Sequence, residues 1–322
     1  LMQGRAAEAV PLLESAVAHQ PGLLHAYYAL GQSYKELGET GPARDAYAEL
    51  VAQAGAAPQP TLELAVAYEE IGQPQAAIDV YRGMLAQEES ADTHVYLAEL
   101  YAQTDDSDQA LAELQAALAQ EPQHPLALLA LGNLLTARGD QAGAVAAFEQ
   151  YAALQDSATV RVLMAQLYAG LGQPVRAAQA LARAAELEPE NADIPRAQAE
   201  LASGQGNLAE AESYLDQATR LRPDDAALHA ARSNLAYQRC NLDRAVLEME
   251  RTVALAPDDA ANRGILALRY LAQDRPEAAA PIAAALQAAS DSDFMAHLLA
   301  GSLLASSGDL RNAEAELRIA AS

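Results

Sequence analysis

One pattern returns along the 322-residue chain at a stride of 33 or 34 residues. It is clearest between Tyr27 and Tyr47. There Tyr27, Leu30, Gly31 and Tyr34 fall at i, i+3, i+4 and i+7, the spacing that places four side chains on one helical face. Gly38 can adopt the left-handed conformation that closes such a helix, and Pro42 stands where a second helix can begin. Ala43, Tyr47 and Leu50 then continue the stripe at i, i+4 and i+7. The spacing predicts a helical hairpin whose large side chains need a neighbour to cover them.

The turn position recurs at Gly4, Gly38, Gly72, Asp105, Gly139, Gly172, Gly206, Cys240, Asp274 and Gly308. Five residues after each stands alanine, from Ala9 to Ala313, in all ten cases. A second small column runs through the first helices as Gly31, Ala65, Ala98, Gly132, Ala165, Ala199, Ser233, Ala267 and Gly301. A bulky column follows it in fixed phase, with Leu13, Tyr47, Tyr81, Leu114, Phe148, Leu181, Leu215, Met249, Ala283 and Leu317. Two small columns in register with a bulky one place close helix crossings at the same point of every hairpin.

On these columns the chain resembles a tetratricopeptide repeat (TPR) array, with about ten units over essentially its whole length. Pro21, Pro122, Pro189, Pro223 and Pro257 end second helices as that family's pattern does, while Gly55, Glu89, Asp156 and Asp291 stand in the proline's place elsewhere. The resemblance implies an all-α fold, a right-handed α-solenoid or superhelix, whose first helices line a concave groove. We expect a single continuous array over 1–322, in units of about 1–21, 22–55, 58–89, 91–122, 125–156, 158–189, 192–223, 226–257, 260–291 and 293–322. LMQG reads as the tail of an earlier helix with Gly4 at its turn, and ELRIAAS as a second helix awaiting a cover, so flanking sequence is expected at both ends. Pro11 and Pro281 fall inside second helices, where kinks are expected.

Charge narrows the partners. The formal net charge is −24, which disfavours nucleic acid and anionic lipid, since both are held by clustered Lys and Arg. Residues 1–161 carry 6 basic and 22 acidic side chains and residues 162–322 carry 14 and 22, so a cationic partner should prefer the first half. Lys35 is the sole lysine against many Arg and Ala, a composition associated with bacterial GC-rich genomes. A single cysteine, Cys240, excludes an internal disulfide. No run of 18 apolar residues suggests membrane insertion and no signal peptide is visible. A soluble protein, cytoplasmic by default with the periplasm as the alternative, is expected.

Motifs of chemistry are missing. GQGNLA at 204–209 has the spacing of a dinucleotide loop, but no strand precedes it and Gly206 is a repeat turn. The six histidines lie far apart, and His94, His229 and His297 share the repeat column of Tyr27, which makes them packing residues first. TDDSD at 104–108 and the PDD runs at 223–225 and 257–259 read as helix caps rather than cation loops. No catalytic residue, cofactor or metal is assigned, and the chain reads as a non-enzyme.

The first-helix face offset from the packing stripe supplies the candidate groove. Its residues are Tyr28, Gln32, Lys35, Leu62, Val66, Glu69, Val95 and Glu99, followed by Leu129, Asn133, Val162, Gln166, Arg196, Glu200, Asn234 and Tyr237. Gln32, Asn133, Gln166 and Asn234 form an amide column able to donate to and accept from a peptide backbone. A protein or peptide partner follows. TPR proteins that grip acidic chaperone tails use Lys, Arg and Asn where this chain has Tyr28, Ala29, Leu62, Glu63, Val95 and Tyr96, so that clamp is missing; Glu200, one turn from Arg196, would partly neutralise it. The expected role is an interaction scaffold. The alternatives are a substrate-recruiting or regulatory arm of a larger enzyme, such as a transferase, and a periplasmic envelope or polysaccharide-export scaffold. In units 192–221 and 226–255 the large stripe residues give way to Gln198, Ala202, Arg232 and Ala236, which predicts the softest seams, read either as drift in a tolerant repeat or as a hinge or docking point that needs Arg196 and Arg232.

Overall fold

A computed structural model describes residues 2–55, 58–289 and 294–321. Among them every regular element is an α-helix. The chain divides into two units, 1–156 and 157–322. The first holds α1 (Met2–His19), α2 (Leu24–Leu37), α3 (Thr40–Ala54), α4 (Leu62–Glu70), α5 (Pro74–Gln87), α6 (Ala91–Gln103), α7 (Ser107–Gln120), α8 (Pro125–Ala137) and α9 (Gln141–Leu154). The second holds α10 (Ala158–Gly170), α11 (Pro174–Leu187), α12 (Asp193–Gly204), α13 (Leu208–Leu221), α14 (Ala226–Gln238), α15 (Leu242–Leu255), α16 (Ala260–Ala272), α17 (Pro276–Ala289), α18 (Phe294–Ser306) and α19 (Leu310–Ala320). Within each unit successive helices pack on one another. Alternate first helices also touch, as α6 does α8 and α16 does α18. No helix of the described residues is long and apolar enough to cross a membrane.

The turn column sets the hairpins. From Gly38 to Gly308 all nine turn residues have positive φ, including the non-glycines Asp105 at 62°, Cys240 at 57° and Asp274 at 59°. The residue after each turn donates its N–H to the carbonyl five positions back, as Glu39 does to Tyr34 at 2.9 Å and Asn241 to Ala236 at 2.9 Å. That bond satisfies a carbonyl the helix end would leave open. Gly4 departs from the scheme, because α1 runs unbroken from Met2 to His19 through it. Glycine permits the left-handed state without imposing it. Helices α1 and α17 also continue across Pro11 and Pro281.

Alanines from Ala43 to Ala313 are buried, and Ala9 is half-buried. The bulky column fills the space they leave, with Tyr47, Tyr81, Phe148, Leu181 and Met249 almost fully covered. Each such side chain contributes on the order of 1.5 to 3 kcal/mol, so a stack of hairpins accumulates its stability seam by seam. Two large members are less covered: Leu13 is half-buried and Leu317 is 38% exposed. The prolines Pro122, Pro189, Pro223 and Pro257 each stand two residues beyond a helix end; Asp291 lies outside the described residues. The acidic runs are caps: Asp106 accepts from the Gln109 N–H at 3.3 Å, Asp225 from Ala227 at 2.9 Å and Asp259 from Asn262 at 3.0 Å.

Two devices go beyond the apolar stripe. His94, His229 and His297 each place Nδ1 within 2.6–2.7 Å of a glutamate 19 residues on, in Glu113, Glu248 and Glu316. These pairs join the first and second helices of a hairpin. At the seam between α13 and α14–α15, Arg232 bridges Asp216 and Glu248, each at 3.1 Å, while Arg239 and Arg244 both pair with Glu212. The soft-seam expectation counted apolar area alone, and here ion pairs occupy the place of the missing large side chains.

Candidate functional site

The first-helix faces place the candidate groove residues at different depths. In the first unit Tyr28, Gln32, Leu62, Val66, Glu69 and Leu129 are half-buried, and Lys35, Glu99 and Asn133 are exposed. Val95 is a correction: at 1% exposure it belongs to the core, in a cluster against which larger, half-buried residues such as Tyr28, Leu62 and Tyr96 also pack. A short branched side chain among longer ones ends below the surface they make. In the second unit Val162 and Arg196 are half-buried, while Gln166, Glu200, Asn234 and Tyr237 are exposed.

Three of these residues meet around one cleft. Val162, Gln166 and Glu200 line a space of about 610 Å³ between α10, α11 and α12, with Ala165, Ala169, Leu181, Ala197 and Leu201 among its other walls. Small residues on adjoining helices leave that space open. Arg196, Glu200 and Asn234 border a second recess of about 280 Å³ next to it. Arg196 donates to Glu200 at 2.5 Å and also lies 3.6 Å from Asp193, so its charge is largely satisfied within α12. Arg222 beside Asp193 holds that carboxyl below its usual range.

The amide column is not uniformly free. Asn234 accepts from Arg269 at 2.8 Å, and the same guanidinium lies 3.8 Å over the Tyr237 ring. Two groove residues are therefore fixed by a side chain from α16 that the column reading passed over. Burial pushes the Arg269 guanidinium below its ordinary pKa.

In the first unit, second-helix tyrosines reach the groove face. The Tyr81 hydroxyl donates to Glu69 at 2.6 Å. The Tyr47 ring passes Gly31, where a β-carbon would lie 2.6 Å from Cζ. Its hydroxyl ends beside Gln32, buried and without a hydrogen-bond partner. Burial raises the pKa of Tyr47 and of Tyr81, and Glu69 adds to the rise at Tyr81. Glu69 and Glu99 are both raised above the usual carboxylate range, chiefly by desolvation, with Glu70 and Glu99 adding like charge at Glu69. Lys35 pairs with Glu70. Tyr34, held by Glu14 at 2.6 Å, is pushed up to about 12.

Among the described residues no three His, Cys, Asp or Glu side chains converge as metal ligands would. The histidines are engaged in structural bonds, as with His124, whose Nδ1 accepts from the Ala127 N–H while Nε2 faces Asp92 at 2.9 Å. Gly206, the second glycine of GQGNLA, is a left-handed turn with φ 78°. The geometry offers recesses, amides and carboxylates along first-helix faces, which is the equipment of a binding surface.

Two family models described as tetratricopeptide repeats match the chain, one over residues 1–60 and 168–235 and the other over residues 97–159, together more than half its length. No curated protein matches it. A tetratricopeptide repeat protein from Parabacteroides merdae is 16% identical with a TM-score of 0.57, covering 81% of this chain and 97% of that one. PilW, a type IV pilus biogenesis factor, is 20% identical with a TM-score of 0.52, covering 62% and 92%. PilF of Pseudomonas aeruginosa is 19% identical with a TM-score of 0.50, covering 73% and 98%. At such identities the likeness is one of fold.

Proposed function

The chain belongs to the tetratricopeptide repeat family, and from that premise we propose that it is a non-catalytic scaffold holding a polypeptide partner against its first-helix faces. Proteins of this family generally act as interaction scaffolds. The observation that carries the reading here is the cleft of about 610 Å³ bordered by Val162, Gln166 and Glu200. Its walls of Ala165, Ala169, Leu181, Ala197 and Leu201 suit an apolar side chain, while Gln166 and Glu200 at the rim suit the backbone and polar groups beside it. Burying one Leu-sized group there is worth about 1.5 to 3 kcal/mol, enough to anchor a segment whose other contacts are shallow.

The test uses Ala169→Arg, since Ala169 is exposed and a long side chain there fills the cleft without entering the core. Peptides selected from a displayed random library on the wild-type chain should share an apolar anchor and lose affinity on the variant. Peptides that bind both forms equally would move the contact away from this face.

A further inference from the structure

The first unit presents a different chemistry on its groove face. Glu69, Glu70 and Glu99 gather there, and the one cation among them, Lys35, is already paired with Glu70. Glu99 is accessible to water yet ringed by protein, and it has no basic partner. Tyrosine rings stand around these carboxylates. Tyr28 lies 6.3 Å from the Tyr47 ring and Tyr96 lies 6.1 Å from the Tyr81 ring, and both Tyr28 and Glu99 are close enough to act on the Tyr96 hydroxyl. A second sign is independent of charge. The Tyr47 side chain is fully buried and its hydroxyl, which comes through beside Gly31 among Gln32, Tyr28 and Glu70, has no hydrogen-bond partner.

We infer that this face takes arginine side chains from the partner polypeptide, the guanidinium stacking on the Tyr28 and Tyr96 rings and donating to Glu69 and Glu99. This rests on the scaffold reading and names the partner's chemistry. A guanidinium suits the site better than an ammonium, because it is planar, stacks on aromatic faces and brings five donors that more than one carboxylate can share. It also relieves the repulsion between Glu69 and Glu99. Residues 1–156 carry 5 basic and 22 acidic side chains, so the field of the whole unit draws such a segment in.

Fluorescein-labelled decapeptides of Gly and Ser carrying no, two or four arginines, and matching lysine peptides, test this by fluorescence anisotropy at low and physiological salt. Affinity should rise with arginine number, and lysine peptides should bind several-fold more weakly. Glu99→Gln and Tyr28→Leu should each weaken the four-arginine peptide about tenfold, the loss of roughly one stacked ion pair. Glu88→Gln, an exposed change of equal charge off this face, should leave it unaltered. Equal weakening by Glu88→Gln, or equal affinity for lysine peptides, would reduce the site to diffuse acidity and overturn the inference. If arginine peptides fail to bind while library-selected peptides still respond to Ala169→Arg, the inference falls and the scaffold reading stands; failure of both removes both.

Discussion

The ring of Phe148 lies so close to Gly132 that a β-carbon there would fall 2.4 Å from Cε1. The same relation, sixteen residues apart, holds Tyr47 against Gly31 at 2.6 Å and Leu317 against Gly301 at 2.7 Å. At these three crossings the second-helix side chain leaves room for glycine alone, whereas Tyr81 crosses at Ala65 and is still almost fully covered. Gly132→Ala should lower stability by about 1 to 3 kcal/mol, the usual consequence of overpacking. Adding Phe148→Leu to it should recover part of the loss in urea melts. Additive effects of the two changes would mean that the contact is not the constraint.

The turn at Cys240 makes the opposite case. Its φ of 57° is a conformation that L-residues adopt at a cost of about 1 to 2 kcal/mol. Cys240→Gly should raise the melting temperature, less the backbone entropy that glycine brings. Gly139→Ala, at φ 78° in open space, should lower stability by about 1 kcal/mol through strain alone.

Arg232 should matter more than its surface neighbours. Removing it as Arg232→Met leaves Glu248, a buried carboxylate, and Asp216 with fewer partners, at a cost of about 3 to 5 kcal/mol if the pair behaves as a buried one. Arg318→Met breaks an exposed i,i+4 pair with Glu314 and should change stability by less than about 0.5 kcal/mol. Denaturant titration of both variants decides. Similar small losses would show that water enters the α13–α14 seam freely.

Glu99 yields a pH test with a fixed sign. Its folded pKa is raised above the usual 4.5, so the folded state holds the proton more tightly than the unfolded chain. The stability it contributes is fully present below 4.5 and is lost as pH rises through the folded value. Glu99→Gln should therefore melt higher than wild type at pH 7, and the gap should close as pH falls toward 4.5. A gap that is constant with pH, or of the opposite sign, contradicts a desolvated carboxylate.

The sequence made the frame legible because each repeat column answers a hard local requirement. A left-handed turn, a close crossing and a ring to fill it leave few residue choices, and spacing alone located even Asp105, Cys240 and Asp274 in their turns. The groove was harder to read. Which side chain ends at the surface depends on its neighbours' lengths, and Val95 is buried in a cluster against which larger residues stay half-buried. The cleft beside Val162 is lined largely by Ala165, Ala169 and Ala197, and a small residue in a repeat column reads as a close helix crossing rather than as open space beside it. The His–Glu pairs were within reach, since His94, His229 and His297 each precede a glutamate by 19 residues. A stripe read for apolar residues passes over such polar partners.

Hydrogen exchange with and without a library-selected peptide measures the central claim most directly. Amides of α10 and α12 should gain protection in the complex, while those on the outer sides of α11 and α13 keep their free rates. Protection confined to α11 and α13, or none on either first helix, would contradict binding at the first-helix face.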